Sequence, residues 1–116
     1  MKRFRDQKEK RIQGQIITWL RFHKFIVWHS SNMGFFNART RQYNLVDQWH
    51  LAGVPDLTVL LPGARTCFIE VKAPDGVTSP EQFALLTRIA DMGHRCLIAR
   101  SVETVERFFR EQGYIK

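Results

Sequence analysis

At 116 residues with 44% hydrophobic side chains, the chain has the size of one domain and enough apolar material for its own core, so neither disulfides nor a structural metal is needed to hold it. Three Trp, nine Phe and 25% charged residues exclude a disordered tail, and no stretch approaches the roughly 18 consecutive apolar residues of a membrane span. Lys and Arg total 18 against 11 acids, a net charge of +7 that points toward a polyanionic partner.

The charge is concentrated at the start. Residues 1–24 hold eight basic side chains against Asp6 and Glu9. Each phosphate neutralised by such a stretch releases condensed counterions, although a solvated basic face would look the same in sequence. The opening Met1-Lys2-Arg3-Phe4-Arg5 has no apolar segment behind it and does not read as a secretory signal. Within 5–22, Ile12, Ile16, Trp19 and Leu20 recur at helical spacing, which predicts an amphipathic helix. Arg5, Lys8 and Arg11 on that helix are candidate phosphate contacts. Glu9 extends the apolar stripe, so it is expected either to meet a neighbouring Lys or Arg or to reach toward a metal.

Residues 25–28, Phe-Ile-Val-Trp, read as a short strand. From 29 to 53 the pattern dissolves into a Ser-, Asn-, Gly- and Arg-rich loop, longer than compact domains usually leave irregular. Arg39 and Arg41, interleaved with Phe35, Phe36, Tyr43 and Trp49, suit gripping a phosphate backbone and stacking on bases. Equally, those aromatics pack inward beside one short helix over 45–50.

The second half is more regular. Strands are predicted over 56–61 and 66–73, joined by the Pro62-Gly63 turn as a hairpin. Ser79-Pro80-Glu81-Gln82 starts a helix with an N-cap serine, proline at the first helical position and glutamine three residues after the cap. That helix stops near Gly93. A strand over 95–100 and a last helix capped by Ser101 follow. The order α-β-β-β-α-β-α implies a single α/β domain spanning 1–116, a central mixed sheet flanked by helices, with its core over about 54–109. Cys67 and Cys96 lie in separate apolar runs with no CxxC pair, and read as buried free thiols in a reducing, cytoplasmic compartment.

Chemistry is suggested by the strand over 66–73. Side chains alternate, so Cys67, Ile69 and Val71 form an apolar face while Phe68, Glu70 and Lys72 share the other. Glu-Val-Lys alone is commonplace on a solvated strand. Asp56, however, opens the partner strand behind Pro55, which keeps Val54 extended, and the hairpin brings it toward Glu70. Two adjacent carboxylates repel unless compensated. A hard divalent cation is the economical partner, since Mg²⁺ takes one or two carboxylates and completes its shell with water and phosphate. Gln82 aligns with Leu86 and Ile89 and faces inward, either to close a capping box with Ser79 or to line a site as well.

Gly53-Val54-Pro55-Asp56-Leu57, Phe68-Ile69-Glu70-Val71-Lys72-Ala73-Pro74, Gly76, Ser79-Pro80-Glu81-Gln82 and the late Gly93 together resemble the VRR-NUC (virus-type replication-repair nuclease) domain of the PD-(D/E)xK nuclease superfamily. The likeness is close over about 50–109 and looser over the first helix. It implies a restriction-endonuclease-like core with Asp56 and Glu70 as metal ligands and Glu9 as the helix carboxylate that joins them. Lys72 would position or activate the attacking water or stabilise the pentavalent phosphate, with Gln82 as accessory residue. The resemblance further implies Mg²⁺ or Mn²⁺, a branched, flapped or four-way-junction DNA substrate, and a phage-like or prophage-like homodimer acting in DNA replication, recombination or repair. Where family members often carry a basic residue before Gly-Val-Pro-Asp, this chain has His50-Leu51-Ala52. A non-catalytic nucleic-acid-binding module on the same fold is the alternative; a chaperone acting by charge alone leaves the inward Glu9 and Gln82 unexplained.

Overall fold

In the computed structural model the described residues are 2–30, 35–37, 42–44 and 51–116, with side chains described over 7–30 and 51–116. Helix α1 (Lys2–Phe22) buries Ile16 and Leu20 completely and packs Ile12 and Trp19 against the same core, as their spacing requires. It begins three residues earlier than the apolar period does. Lys24 then adopts φ 70°, and the Phe25 amide donates to the Leu20 carbonyl at 3.0 Å. This left-handed cap turns the chain sharply, so strand β1 (Ile26–His29) starts one residue later than expected and Phe25 packs edge-on against Phe109 instead.

The segment over 29–53 is not wholly irregular, contrary to expectation. Strands β2 (Phe35–Asn37) and β3 (Gln42–Asn44) pair antiparallel as a separate two-stranded sheet. Neither is long enough to show an alternation in sequence. The short helix expected over 45–50, together with Trp49, lies outside the described residues.

The main sheet joins β1, β4 (Leu57–Leu61), β5 (Arg65–Val71) and β6 (Arg95–Ala99) in the order β1-β4-β5-β6. The hairpin forms as expected: β4 and β5 pair antiparallel with Leu57 opposite Ile69, and the chain turns through Gly63 at φ 78° and Ala64 at φ 60°. Helix α2 (Pro80–Asp91) carries the chain back so that β6 lies parallel to β5, the crossover such pairing needs. Helix α3 (Val102–Glu111), capped by Ser101, closes the domain.

One face of the sheet presents Val27, Leu57, Val59, Leu61, Ile69 and Val71 to α1 and α3, where Phe109 is fully buried. Helix α2 packs on the opposite face beside β6, near enough for the Cys96 thiol to approach the Leu86 carbonyl. Both thiols are free. Burial pushes the Cys67 thiol up to about 12 and raises Cys96 as well, which favours the protonated thiol at both positions. Among the described residues no helix is long and apolar enough to cross a membrane.

Candidate active site

Asp56 sits one residue before β4, directly behind the buried Pro55. Its backbone carbonyl accepts from the Ser30 amide at 2.8 Å, and its Oδ2 accepts from the Val71 amide at 2.7 Å. The residue is thereby tied to the strands on both sides. With Leu57 opposite Ile69, the next step of the antiparallel register sets Asp56 against Glu70.

Glu70 is 2% exposed, and its Oε1 is buried with no hydrogen-bond partner among the described residues. Burial, first, and then a hydrogen bond and charge repulsion from Asp56 push its carboxyl up to about 9; Glu9 adds to the rise, and Lys72 opposes it. Among the described residues the only salt bridge is Arg110–Glu106, so no described Lys or Arg nitrogen ion-pairs with either carboxylate. An orphaned buried oxygen beside a second carboxylate is a cluster short of positive charge.

That donor set fits a hard divalent cation through two carboxylates, with water and phosphate oxygens making up the shell. Glu9 is placed differently from the expected third ligand. Among the described residues, no group of three or more His, Cys, Asp or Glu side chains is gathered for metal binding. Glu9 is half-buried, its Oε1 accepts from the Ala73 amide at 3.4 Å, and it stands where a Cβ on Gly76 would come within 3.2 Å. The alternative expectation, an ion pair with a neighbouring Lys or Arg, is not formed among the described residues either.

Lys72 follows β5 directly and is 9% exposed; its amide donates to the Ala99 carbonyl at 3.0 Å. Gln82 fulfils the capping box: its Oε1 accepts from the Ser79 amide at 2.9 Å, while its own amide donates to Ser79 Oγ at 3.1 Å. It also lines a cavity of about 550 Å³ with Asp56 and Glu9, so capping and site lining coexist. Gly53, at φ 85°, makes this possible. A Cβ there would stand 2.6 Å from the Glu81 carbonyl oxygen, so only glycine lets the segment leading to Asp56 lie against the start of α2.

The same cavity is lined by Lys10 and Gln13 of α1 and by His29 at the end of β1; Lys10 gave no signal of its own because α1 reads as basic along much of its length. Lys8 and Arg11 are exposed on α1. Arg5 lies on that helix with its side chain outside the described set, and Arg39 and Arg41 lie outside the described residues altogether. A hollow of about 630 Å³ between α1 and the start of α3 is lined, among the described residues, by Trp19, Phe22 and Val102 with no ionisable side chain, so size does not mark the chemistry here.

The VRR-NUC family model matches residues 7–103. The chain belongs to the VRR-NUC family. It is therefore a nuclease-type domain, and the Asp56–Glu70–Lys72 cluster lies inside the matched span. A solved VRR-NUC domain superposes with a TM-score of 0.62 at 21% identity, covering 89% of this chain and 95% of the other. A second structure, a VRR-NUC domain protein, superposes at 0.65 with 23% identity, covering 92% of this chain and 87% of that one. At such identities the structures speak for the shared VRR-NUC fold alone. Comparison with curated protein sequences gives no match.

Proposed function

We propose that this VRR-NUC domain is a metal-dependent DNA endonuclease that hydrolyses phosphodiester bonds in branched, flapped or four-way-junction DNA. The observation that carries the reading is the buried, unpartnered Glu70 Oε1 beside Asp56. Asp56 and Glu70 would hold Mg²⁺ or Mn²⁺, which when bound supplies an acidified water and neutralises charge growing on the phosphate. Asp56 keeps its orientation through the Val71 amide and leaves its other oxygen for the cation. Lys72, mostly withdrawn from solvent beside them, offers a fixed positive charge to the attacked phosphate or to the attacking water. Gln82 and Glu9 shape the cavity wall. Lys8, Arg11 and the further basic side chains of the first helix grip phosphates without reading sequence, which suits recognition by DNA shape.

A homodimer would set two such sites across a two-fold axis, as paired cutting of a four-way junction requires. The setting that fits is the cytoplasmic replication, recombination or repair of phage or prophage DNA.

The test is cleavage of plasmid, flap, splayed and four-way-junction DNA with Mg²⁺ or Mn²⁺. Asp56→Ala and Glu70→Ala should abolish cleavage while DNA binding survives, and Lys72→Ala should lower kcat by about 10²–10³-fold. A wild type inactive on every substrate, or a Lys72→Ala variant that cuts as well as wild type, defeats the proposal. In that case a non-catalytic scaffold would also show no saturable Mn²⁺ binding dependent on Asp56 and Glu70.

A further inference from the structure

Immediately after Lys72 the chain makes the turn Ala73-Pro74-Asp75-Gly76, closed by the Gly76 amide donating to the Ala73 carbonyl at 2.9 Å. The turn aims several carbonyl oxygens at one point. Arg100, the residue after β6, sends its Nη1 there and donates to the carbonyls of Ala73 at 2.7 Å and Gly76 at 2.7 Å, with Pro74 at 3.4 Å. Converging carbonyl dipoles repel one another, and a guanidinium supplies both the charge and the donors that hold them together.

The neighbouring bonds give this contact its meaning. The Ala99 carbonyl holds the Lys72 amide, so consecutive residues 99 and 100 hold consecutive residues 72 and 73. From the other side, Glu9 accepts from the Ala73 amide. Ala73, fully buried, is thus gripped at its N–H by a carboxylate from α1 and at its carbonyl by a guanidinium from the end of β6. Lys72 has a fixed backbone on both sides. Nη1 of Arg100 is committed to the turn, and experiment separates that role from a phosphate contact through the rest of the guanidinium.

We propose that Arg100 is a positioning residue for Lys72. By closing the turn over residues 73–76 it fixes the backbone from which the Lys72 side chain extends. The inference rests on the reading of Lys72 as the group that acts at the phosphate. It also assigns Glu9 the opposing jaw of the clamp.

The test compares Arg100→Met, which keeps the aliphatic stem and removes charge and donors, with Arg100→Lys, which keeps a charge and one donor group. Two readouts are needed. Acetylation of the metal-free protein by acetic anhydride, followed by mass spectrometry, reports Lys72 against the exposed Lys24 as internal reference. In Arg100→Met, Lys72 should react about 3-fold faster or more as the turn opens, while kcat falls about 10- to 100-fold with KM and the salt dependence of binding unchanged. Arg100→Lys should recover part of both effects, and it carries the test if Arg100→Met does not fold. Unchanged Lys72 acetylation in a folded variant overturns the proposal. So does a loss confined to KM and the salt slope, which would make Arg100 a phosphate contact. If the wild type cuts no DNA, acetylation still decides the role of Arg100, and the nuclease reading alone falls.

Discussion

Strand β5 sets one backbone against two environments. On one face Cys67, Ile69 and Val71 are 0%, 0% and 1% exposed among the side chains of α1 and α3. On the other, Glu70 is 2% exposed and keeps an oxygen with no partner. Burial is nearly equal, but its energetic meaning is opposite. Apolar surface leaving water stabilises the fold by about 25 cal/mol per Å², whereas a carboxyl that loses hydration while one oxygen is left without a partner destabilises it. The first face anchors the strand so firmly that the second can remain unfavourable. Charge density at a fixed place is what the apolar packing makes possible.

The sharpest way to break that contrast is to cut into each face in turn. Ile69→Ala should lower stability by about 2–5 kcal/mol, read by urea denaturation, through lost burial and a cavity. Glu70→Gln should do the reverse in the metal-free protein at neutral and alkaline pH, raising the midpoint. If both substitutions destabilise to the same degree, the two faces are energetically alike and the comparison fails.

A second prediction concerns pH. The Glu70 carboxyl is raised from 4.5 to about 9 by burial and by Asp56. The folded chain therefore holds a proton there that the unfolded chain releases, and its stabilising effect is complete below pH 4.5. As pH rises from there through about 9, that stability is lost. Urea midpoints measured across this window should fall more for wild type than for Glu70→Gln. Saturating Mg²⁺ or Mn²⁺ should reduce the slope, because a cation takes over from the proton. Parallel curves for the two proteins would remove Glu70 as the cause.

The smallest expected effect separates two helix starts that look alike. Gln82→Ala leaves the Ser79 amide of α2 without its acceptor, and Ser101→Ala does the same to the Thr104 amide of α3. Each should lower stability by about 0.5–2 kcal/mol. Only Gln82 lines the cavity with Asp56, so only Gln82→Ala should also slow DNA cleavage. Equal activity in the two variants would reduce Gln82 to a cap.

What could be read from the sequence was what short spacings encode. The period of Ile12, Ile16 and Leu20, the alternation from Cys67 to Val71, and the Ser79-Pro80-Glu81-Gln82 start each specify an element within a few residues, and each element is there. Asp56 and Glu70 could be brought together because one turn at Pro62-Gly63 joins their strands. The rest depends on partners distant in the chain. Glu9 could be read as facing inward, but its partner, the Ala73 amide, lies 64 residues away. Arg100 carried no signal at all, since its contacts exist only because β6 lies alongside β5. The strands β2 and β3 are three residues each, too short for a period.

The parallel pairing of β5 with β6 also has a consequence for how the domain comes into being. Synthesis runs from the N-terminus, and Asp56, Glu70 and Lys72 leave the ribosome ahead of all of α2 and β6. A nascent chain halted before Ala99 has the two carboxylates and the ammonium but lacks the carbonyl that fixes the Lys72 amide. The clustered arrangement is thus a property of the completed fold, and a partly made chain carries the residues without their geometry.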